Sequence, residues 1–176
     1  MQVIHKQSNS PLVISIPHSG TDIPQDIAPI CNLATKREHT DWELQELVAP
    51  LSETTLVANV SRYIVDVNRF KLRTGKATQP IIPRIDEVGN QLFNNYPSKK
   101  KQADWLQRYY SPYYLHLENL LNEKLEQHEK VLLVDLHSYD DKLFQTSDII
   151  LGTRKKQTLS QDTLKQLQLL FHDEGL

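Results

Sequence analysis

The sequence has a single cysteine, Cys31, among its 176 residues, and this scarcity excludes two classes of protein. One cysteine cannot form a disulfide within the chain, so the small secreted proteins that depend on disulfides are excluded. A structural zinc site built from several cysteines is excluded for the same reason. The first six residues contain no apolar stretch that could serve as a signal peptide, so the expected compartment is the cytoplasm.

Long hydrophobic runs and an excess of either charge are also missing. No window approaches the roughly 20 apolar residues that a membrane helix needs, so no membrane partner is expected. Lys and Arg number 20 and Asp and Glu 22, which does not favour a nucleic-acid partner. The basic run Lys99–Lys101 is interpreted as a solvated loop or helix start. Length and composition are typical of one soluble globular domain, and a single domain over residues 1–176 is expected.

Apolar runs rich in β-branched residues predict the strands of this domain. Three of these runs are continuous and bounded by turn-forming or charged residues, as is typical of buried strands. They are Pro11–Pro17, Thr54–Val60 and Lys130–Leu136. Two further runs, Tyr63–Val67 and Ser147–Gly152, predict a second extended piece and a weaker strand.

Residues with helical spacing of apolar positions alternate with these strands. The spacing predicts helices over residues 39–49 and 102–127, the second kinked or restarted at Pro112, and a final helix from Ser160. Residues 70–98 predict a long loop. Buried strands alternating with helices predict an α/β fold in three layers, a mostly parallel, mixed sheet with helices on both faces.

Polar clusters follow the predicted strands where each strand ends. Because ligands bind beyond the carboxyl ends of strands in such sheets, these clusters indicate a functional site. Of the seven histidines, His18 and His137 are the two that follow strong strands. The clusters are His18-Ser19-Gly20, Asp66-Val67-Asn68-Arg69 and Asp135-Leu136-His137-Ser138.

Two histidines and a carboxylate at one sheet edge predict a mononuclear zinc site. Catalytic zinc takes three nitrogen or oxygen ligands from the protein and keeps its fourth position for water. The predicted ligands are His18, His137 and Asp41, with Glu43 and Asp22 as alternatives for the carboxylate. Asp41 is equally well explained as the N-cap of the helix that follows it.

The remaining polar residues of the clusters suit a substrate with a carboxylate. The guanidinium of Arg69 matches a carboxylate in a bidentate manner, and Asn68 lies beside it. An internal Asp66–Arg69 ion pair explains the same spacing. Arg62 could stabilise a developing oxyanion, although a surface arginine is the simpler interpretation. A serine nucleophile is not favoured, because the chain has no Gly-x-Ser-x-Gly motif.

An ordered set of motifs in the chain resembles a known family, the N-formylglutamate amidohydrolases. Each motif is short, but together they span about residues 11 to 153, and a weaker likeness continues through Leu143-Phe144 and Leu151-Gly-Thr153. The motifs are Ile14-Ser-Ile-Pro-His18-Ser-Gly-Thr, Thr40-Asp-Trp42, Ser61-Arg-Tyr-Ile-Val-Asp-Val-Asn-Arg69, Arg108-Tyr-Tyr-Ser-Pro-Tyr113 and Val134-Asp-Leu-His-Ser138.

The resemblance implies a zinc-dependent amidohydrolase that splits N-formyl-L-glutamate into formate and glutamate, late in histidine degradation. It also implies kinship with the zinc carboxypeptidases and aspartoacylases. By that kinship the two strand-end histidines hold the metal, Asn68 and Arg69 bind the substrate's carboxylate, and Arg62 polarises the carbonyl. Ser138 is expected among the substrate-binding residues.

The chain departs from these relatives in two places. The relatives have a glutamate ligand three residues after the first histidine, where this chain has Thr21, so Asp41 is expected to supply the carboxylate. The general-base glutamate of the carboxypeptidases lies near the C-terminus, where this chain has only Glu174, which is not expected to reach the metal. We therefore expect a shortened family member. The alternatives are a non-catalytic metal- or ligand-binding module and an amidohydrolase for another acyl amino acid or small peptide.

Overall fold

The structure, a computed structural model, describes residues 3–32, 40–41, 43–69, 80–139, 149–153 and 158–175. The chain separates into two compact units, Met1–Ser138 and Tyr139–Leu176. The expectation of a single domain over residues 1–176 stays a prediction. None of the helices in the described part is long and apolar enough to cross a membrane.

The first unit contains a four-stranded mixed sheet in the order β1-β3-β2-β4. Strand β2 is parallel to both of its neighbours, β3 and β4, whereas β1 is antiparallel to β3. The predicted α/β class and mostly parallel, mixed sheet are therefore confirmed. The strands are β1 (Val3–Lys6), β2 (Leu12–Ile16), β3 (Thr54–Ala58) and β4 (Leu132–Asp135).

The two central strands, β2 and β3, carry the continuous apolar runs because both of their faces are covered. On one face Ile14, Ile16 and Val57 pack against Leu44 and Val48. The last two residues belong to α1 (Leu44–Val48). This packing gives the sheet its first helical layer.

The opposite face of the sheet is covered by a longer helix. There Leu56 and Ala58 of β3 belong to a larger core that includes Tyr113 and Leu120. These two side chains come from α3 (Ser111–Gln127). Helices therefore lie on both faces of the sheet, and the predicted three-layer arrangement is confirmed.

The helix predicted over residues 102–127 begins slightly earlier and changes geometry at its middle. It consists of α2 (Lys99–Trp105), a π-helical turn (Leu106–Tyr110) and α3. The side chain of Ser98 caps α2 by accepting a hydrogen bond from the backbone N–H of Lys101. Pro112 lies in the first turn of α3 and has no N–H to donate, so the backbone widens just before it. The predicted interruption at this proline is confirmed.

Tyr63–Val67, predicted to be extended, is a buried turn. The backbone N–H groups of Ile64 and Val65 both donate to the carbonyl of Ser61, at 2.9 and 3.2 Å. The apolar run is buried because the turn lies in the core, so the prediction of an extended piece was wrong.

Other predicted elements are shorter than expected or lie partly outside the described residues. The helix predicted over residues 39–49 is α1, which begins only at Leu44. Of the long loop 70–98, residues 80–98 are irregular apart from isolated bridges at Ile85, Gln91 and Phe93, and residues 70–79 lie outside the described chain.

In the second unit, the strand predicted over Ser147–Gly152 is not formed by residues 149–152, and residues 147 and 148 lie outside the described chain. The final helix is present as α4 (Gln161–Asp173). Ser160 caps it by accepting a hydrogen bond from the backbone N–H of Thr163 at 3.1 Å, and the predicted start of this helix is confirmed.

Candidate metal centre

The two strand-end histidines lie side by side at the carboxyl edge of the sheet. His18 follows β2 and His137 follows β4, and because these strands are parallel neighbours, both chains leave the sheet at the same edge. The two ring centroids are 4.7 Å apart. His18 is buried, whereas the side chain of His137 is 30% exposed.

Asp41 lies between these two rings. Its backbone N–H donates to the carbonyl of His18 at 3.0 Å, which anchors the segment to the end of β2. Its Oδ2 is 3.8 Å from Nδ1 of His18 and 3.1 Å from Nδ1 of His137. Its Oδ1 accepts a hydrogen bond from the Ser138 hydroxyl at 2.7 Å, and its carbonyl accepts one from Ser19, also at 2.7 Å.

These three side chains fit the coordination of a divalent metal ion. One ligand atom from each of His18, Asp41 and His137 lies within 4.8 Å of the others. Tetrahedral zinc, with bonds of about 2.0–2.1 Å, separates two ligand atoms by about 3.3 Å, and the two contacts of Asp41 Oδ2 lie on either side of that value. Two imidazole nitrogens and one carboxylate form the ligand type of catalytic zinc sites. This group of described residues does not include Glu43 or Asp22, the alternatives for the third position.

His18 is held by a buried carboxylate on the side of the ring that faces away from Asp41. Its Nε2 lies 2.8 Å from Oδ1 of Asp66. An Nε2–H that donates to Asp66 leaves the lone pair of Nδ1 facing Asp41, as in the carboxylate–histidine pairs that orient metal ligands. Burial lowers the pKa of His18 despite the opposing effect of Asp66, so the ring is neutral near pH 7, as a metal ligand must be.

Asp66 also pairs with two arginines. Nη2 of Arg62 and Nε of Arg69 each lie 3.5 Å from its Oδ2, and Arg62 extends to Glu87 at 3.8 Å. Although burial acts to raise the pKa of Asp66, the hydrogen bond from His18 and the two guanidinium charges hold it below its ordinary value. The internal Asp66–Arg69 ion pair considered from the sequence is therefore present. The predicted roles of Arg62, Asn68 and Arg69 toward a substrate stay predictions.

His137 contacts three polar side chains. Besides Asp41 at Nδ1, its Nε2 lies 3.0 Å from Nδ2 of Asn68 and 3.4 Å from Oδ2 of Asp135. Burial lowers its pKa, but the carboxylates of Asp135 and Asp41 outweigh burial and raise the pKa to about 9. Metal binding at this ring therefore releases a proton at neutral pH.

Sequence reasoning did not predict that Asp66 and Asp135 contact the rings of His18 and His137. Both aspartates belong to the strand-end polar clusters, so the signal was their position beside candidate ligands. Ser138, predicted to bind substrate, donates its hydroxyl to Asp41 here, and its role toward a substrate stays a prediction.

A cavity of about 230 Å³ opens beside Asp41 and provides room next to the candidate ligands. It combines carboxylate, hydroxyl and apolar groups, a mixture that is usual for sites that bind small molecules. It is lined by Thr40, Asp41, Glu43, Leu44, Leu47 and Ser138.

Comparison with known proteins establishes the family of this chain. The profile of the family described as N-formylglutamate amidohydrolase matches residues 10–176. The chain belongs to the N-formylglutamate amidohydrolase family. It is 31% identical over 142 residues to an N-formylglutamate deformylase of Pseudomonas aeruginosa, covering 76% of this chain and 53% of that protein. The chain thus spans about half the length of this curated relative.

Two solved structures share the fold of this family member. The crystal structure of N-formylglutamate amidohydrolase from Ralstonia eutropha JMP134 is 21% identical, with a TM-score of 0.69 over 98% of this chain and 74% of that one. A gene product from Agrobacterium tumefaciens is 17% identical, with a TM-score of 0.63 over 78% of this chain and 56% of that one. At these identities the likeness establishes the α/β fold and no more.

Proposed function

We propose that this chain is a zinc-dependent amidohydrolase that cleaves N-formyl-L-glutamate to formate and L-glutamate. The observation that carries the proposal is the convergence of His18, Asp41 and His137 within 4.8 Å at one sheet edge, in a member of this family. The Pseudomonas relative is named as a deformylase of this substrate, which supports the choice of the acyl group. The proposal includes a role in histidine degradation in the cytoplasm and kinship of the fold with the zinc carboxypeptidases.

The ligand set determines the chemistry of the proposed reaction. A zinc ion bound there would act as a Lewis acid, which polarises the formyl carbonyl and acidifies a water molecule. Asp41 is held in place by Ser138 through its second oxygen, so its Oδ2 stays directed at both histidines. Asp66 fixes His18 from behind in the same way.

The cationic side of the site suits a dicarboxylate substrate. Arg69 follows Asn68 directly, and its buried Nε has no hydrogen-bond partner in the described part of the chain. Arg69 and Asn68 would bind a carboxylate of the substrate, because a guanidinium fork and an amide both donate to carboxylate oxygens. Arg62, whose charge is shared between Asp66 and Glu87, would stabilise negative charge that develops on the carbonyl oxygen.

The direct test is formate release from N-formyl-L-glutamate by the metal-free chain, with and without added Zn²⁺. We expect turnover only with the metal, and its loss in Asp41→Asn, which keeps the shape of the side chain but removes the charge. N-formyl-L-glutamine tests the side-chain carboxylate, and N-acetyl-L-glutamate tests the acyl group. Failure of the chain to bind zinc would end the proposal.

Two further outcomes separate the alternatives. Faster cleavage of N-acetyl amino acids or dipeptides than of the formyl compound would indicate another amidohydrolase specificity. Tight zinc binding without turnover on any of these amides would favour a binding module over an enzyme. The Arg69→Lys variant serves as a matched control for the substrate carboxylate, because it keeps the charge but not the fork; we expect its KM to rise at unchanged zinc affinity.

A further inference from the structure

A series of hydrogen bonds runs from helix α3, along one face of the sheet, to the ring of His137. The Tyr113 hydroxyl lies 2.7 Å from Oγ of Ser15, in the interior between α3 and β2. Oγ of Ser15 donates to Oδ1 of Asp135 at 2.6 Å, and Oδ2 of the same carboxylate lies 3.4 Å from Nε2 of His137. Among the described residues, the hydroxyls of Tyr113 and Ser15 form no hydrogen bond with the candidate ligands His18 and Asp41, so their polar groups need another explanation.

The register of the sheet places Ser15 beside Asp135, in the middle of this series of hydrogen bonds. Ser15 of β2 and Asp135 of β4 are directly paired positions on parallel strands, so their side chains project from the same face. That face is the one covered by α3, which places Tyr113 over Ser15. Ser15 and Tyr113 are both buried, at 3% and 2% exposure. A polar pair in such a position costs stability unless its hydrogen bonds are made.

The available donors determine the direction of each hydrogen bond in this series. An ionised carboxylate only accepts, so the single hydroxyl proton of Ser15 goes to Asp135. Tyr113 must then donate its proton to Ser15. The hydroxyl donors of Tyr113 and Ser15 therefore both point toward Asp135, whose Oδ2 is left to accept from Nε2–H of His137.

We propose that Tyr113 and Ser15 are positioning residues, which hold the Asp135 carboxylate so that His137 keeps its proton on Nε2 and presents Nδ1 to the metal. This inference rests on the proposed zinc site and deepens it. The side chain of Asp135 is 44% exposed, so without the bond from Ser15 it would be free to turn into water. The structure places Nδ2 of Asn68 3.0 Å from Nε2 of His137, so this proton position requires the Asn68 amide to turn its oxygen toward Nε2–H.

Two carboxylates compete for the proton of the neutral His137 ring. Asp41 lies 3.1 Å from Nδ1 and Asp135 lies 3.4 Å from Nε2. In a neutral ring, a proton drawn to Nδ1 by Asp41 would block the nitrogen that the metal requires. A firmly oriented Asp135 favours the other tautomer and so favours metal binding.

The test is a double-mutant cycle read by zinc affinity, which does not depend on turnover. We expect Asp135→Ala to weaken zinc binding by about 10- to 100-fold, Ser15→Ala by about tenfold and Tyr113→Phe by about threefold. The effects of Ser15→Ala and Tyr113→Phe on zinc affinity should vanish in the Asp135→Ala background, because both residues act through that carboxylate. Tyr96→Phe, which removes a tyrosine hydrogen bond to the carbonyl of Ile82, is the matched control and should leave zinc affinity unchanged.

A second measurement reads the tautomer of His137 by ¹⁵N NMR of the zinc-bound protein. We expect Nε2–H and a metal-bound Nδ1 in the wild type. Loss of stability in Tyr113→Phe and Ser15→Ala with unchanged zinc affinity and an unchanged ring would overturn the proposal, as would losses of equal size when Asp135 is already alanine. If the wild type binds no zinc, the proposed function fails. The series of hydrogen bonds is then tested in the metal-free protein at pH 10, where the proton of the neutral ring should move from Nε2 to Nδ1 in Asp135→Ala and, in part, in Ser15→Ala.

Discussion

Nε2 of His18 lies 2.8 Å from Oδ1 of Asp66, and both side chains are almost fully buried. This contact fixes which nitrogen of His18 faces the other candidate ligands. The same carboxylate pairs with two arginines, Arg62 and Arg69, so one aspartate joins the candidate metal site to the candidate substrate site. Asp66 is therefore the residue whose replacement should disturb both.

The first prediction concerns this aspartate. Asp66→Asn keeps an oxygen that can accept from His18 but loses the charge, and zinc affinity should fall by about tenfold; Asp66→Ala should lower it by about 100-fold. Competition with a fluorescent zinc chelator measures both values. Asp26→Asn is the matched control, since it removes an equal charge from the exposed ion pair with Arg108 and should leave zinc affinity unchanged. Equal effects of Asp66→Asn and Asp26→Asn would contradict the role of Asp66.

The second prediction separates the two oxygens of Asp41. Oδ2 faces both histidines, whereas Oδ1 accepts the hydrogen bond from Ser138. Ser138→Ala leaves Oδ2 in place but frees the carboxylate to rotate, so zinc affinity should fall by about tenfold. Asp41→Asn removes a direct ligand charge and should lower it further, by about two orders of magnitude or more.

Isothermal titration calorimetry with Zn²⁺ measures the zinc affinity of Ser138→Ala and Asp41→Asn. Ser19→Ala is the companion variant, because its hydroxyl donates to the backbone carbonyl of Asp41 and does not touch the carboxylate. We expect it to weaken zinc binding less than Ser138→Ala does. The prediction is wrong if Ser138→Ala binds zinc as tightly as the wild type.

The sheet and the meeting of the two histidines could be predicted from the sequence for one physical reason. Strands β2 and β3, which are buried, have continuous apolar runs, and parallel strands end at the same edge. Strand β4 was also predicted to be buried, and this was wrong: it lies at the edge of the described sheet, with Leu132 and Leu133 each 40% exposed. The run Tyr63–Val67 shows the limit of this reasoning, because burial makes a turn as apolar as a strand. The edge strand Val3–Lys6 was missed, since four residues with one histidine and one lysine carry no clear pattern.

The partners of the candidate ligands could not be predicted in the same way. That Asp66 lies behind His18 depends on where a buried turn places its side chain, and spacing along the chain does not determine this. The sequence left Arg69 either paired with Asp66 or available to a substrate. The structure contains the ion pair at 3.5 Å, and binding of a substrate by the same guanidinium stays a prediction.

The third prediction concerns Gly20, two residues after His18. A Cβ atom added there would lie 2.3 Å from the carbonyl carbon and oxygen of Asn59 and 2.4 Å from the carbonyl oxygen of Ala58. These are backbone atoms at the end of β3, which cannot turn away as a side chain could. Gly20→Ala should therefore lower the free energy of unfolding by about 3 kcal/mol or more, at the upper end of the range for overpacked positions.

Denaturant unfolding followed by tryptophan fluorescence measures this change, and zinc affinity should fall with it because His18 must move. Gly152→Ala is the control, since nothing lies within 4 Å of a Cβ atom at that position. If the free energy of unfolding of Gly20→Ala lies within about 0.5 kcal/mol of the wild-type value, the range of neutral surface changes, the prediction is wrong. The backbone at the end of β3 would then be able to move away from the added Cβ atom.

The last prediction uses the single cysteine as a probe of folding. Burial raises the pKa of Cys31 from an ordinary value near 9 to about 11, and the thiolate is the form that reacts with disulfide reagents. At pH 8 the folded thiol should therefore react about 100-fold more slowly than the unfolded one, from the pKa difference alone. The raised pKa also means that the unfolded thiol ionises first, so this group lowers the stability of the fold as pH rises from about 9 to 11. Release of thionitrobenzoate from Ellman's reagent, with and without urea, measures the rates. Cys31→Ser should abolish the signal, and a fast reaction of the folded wild type at pH 8 would contradict the burial of this side chain.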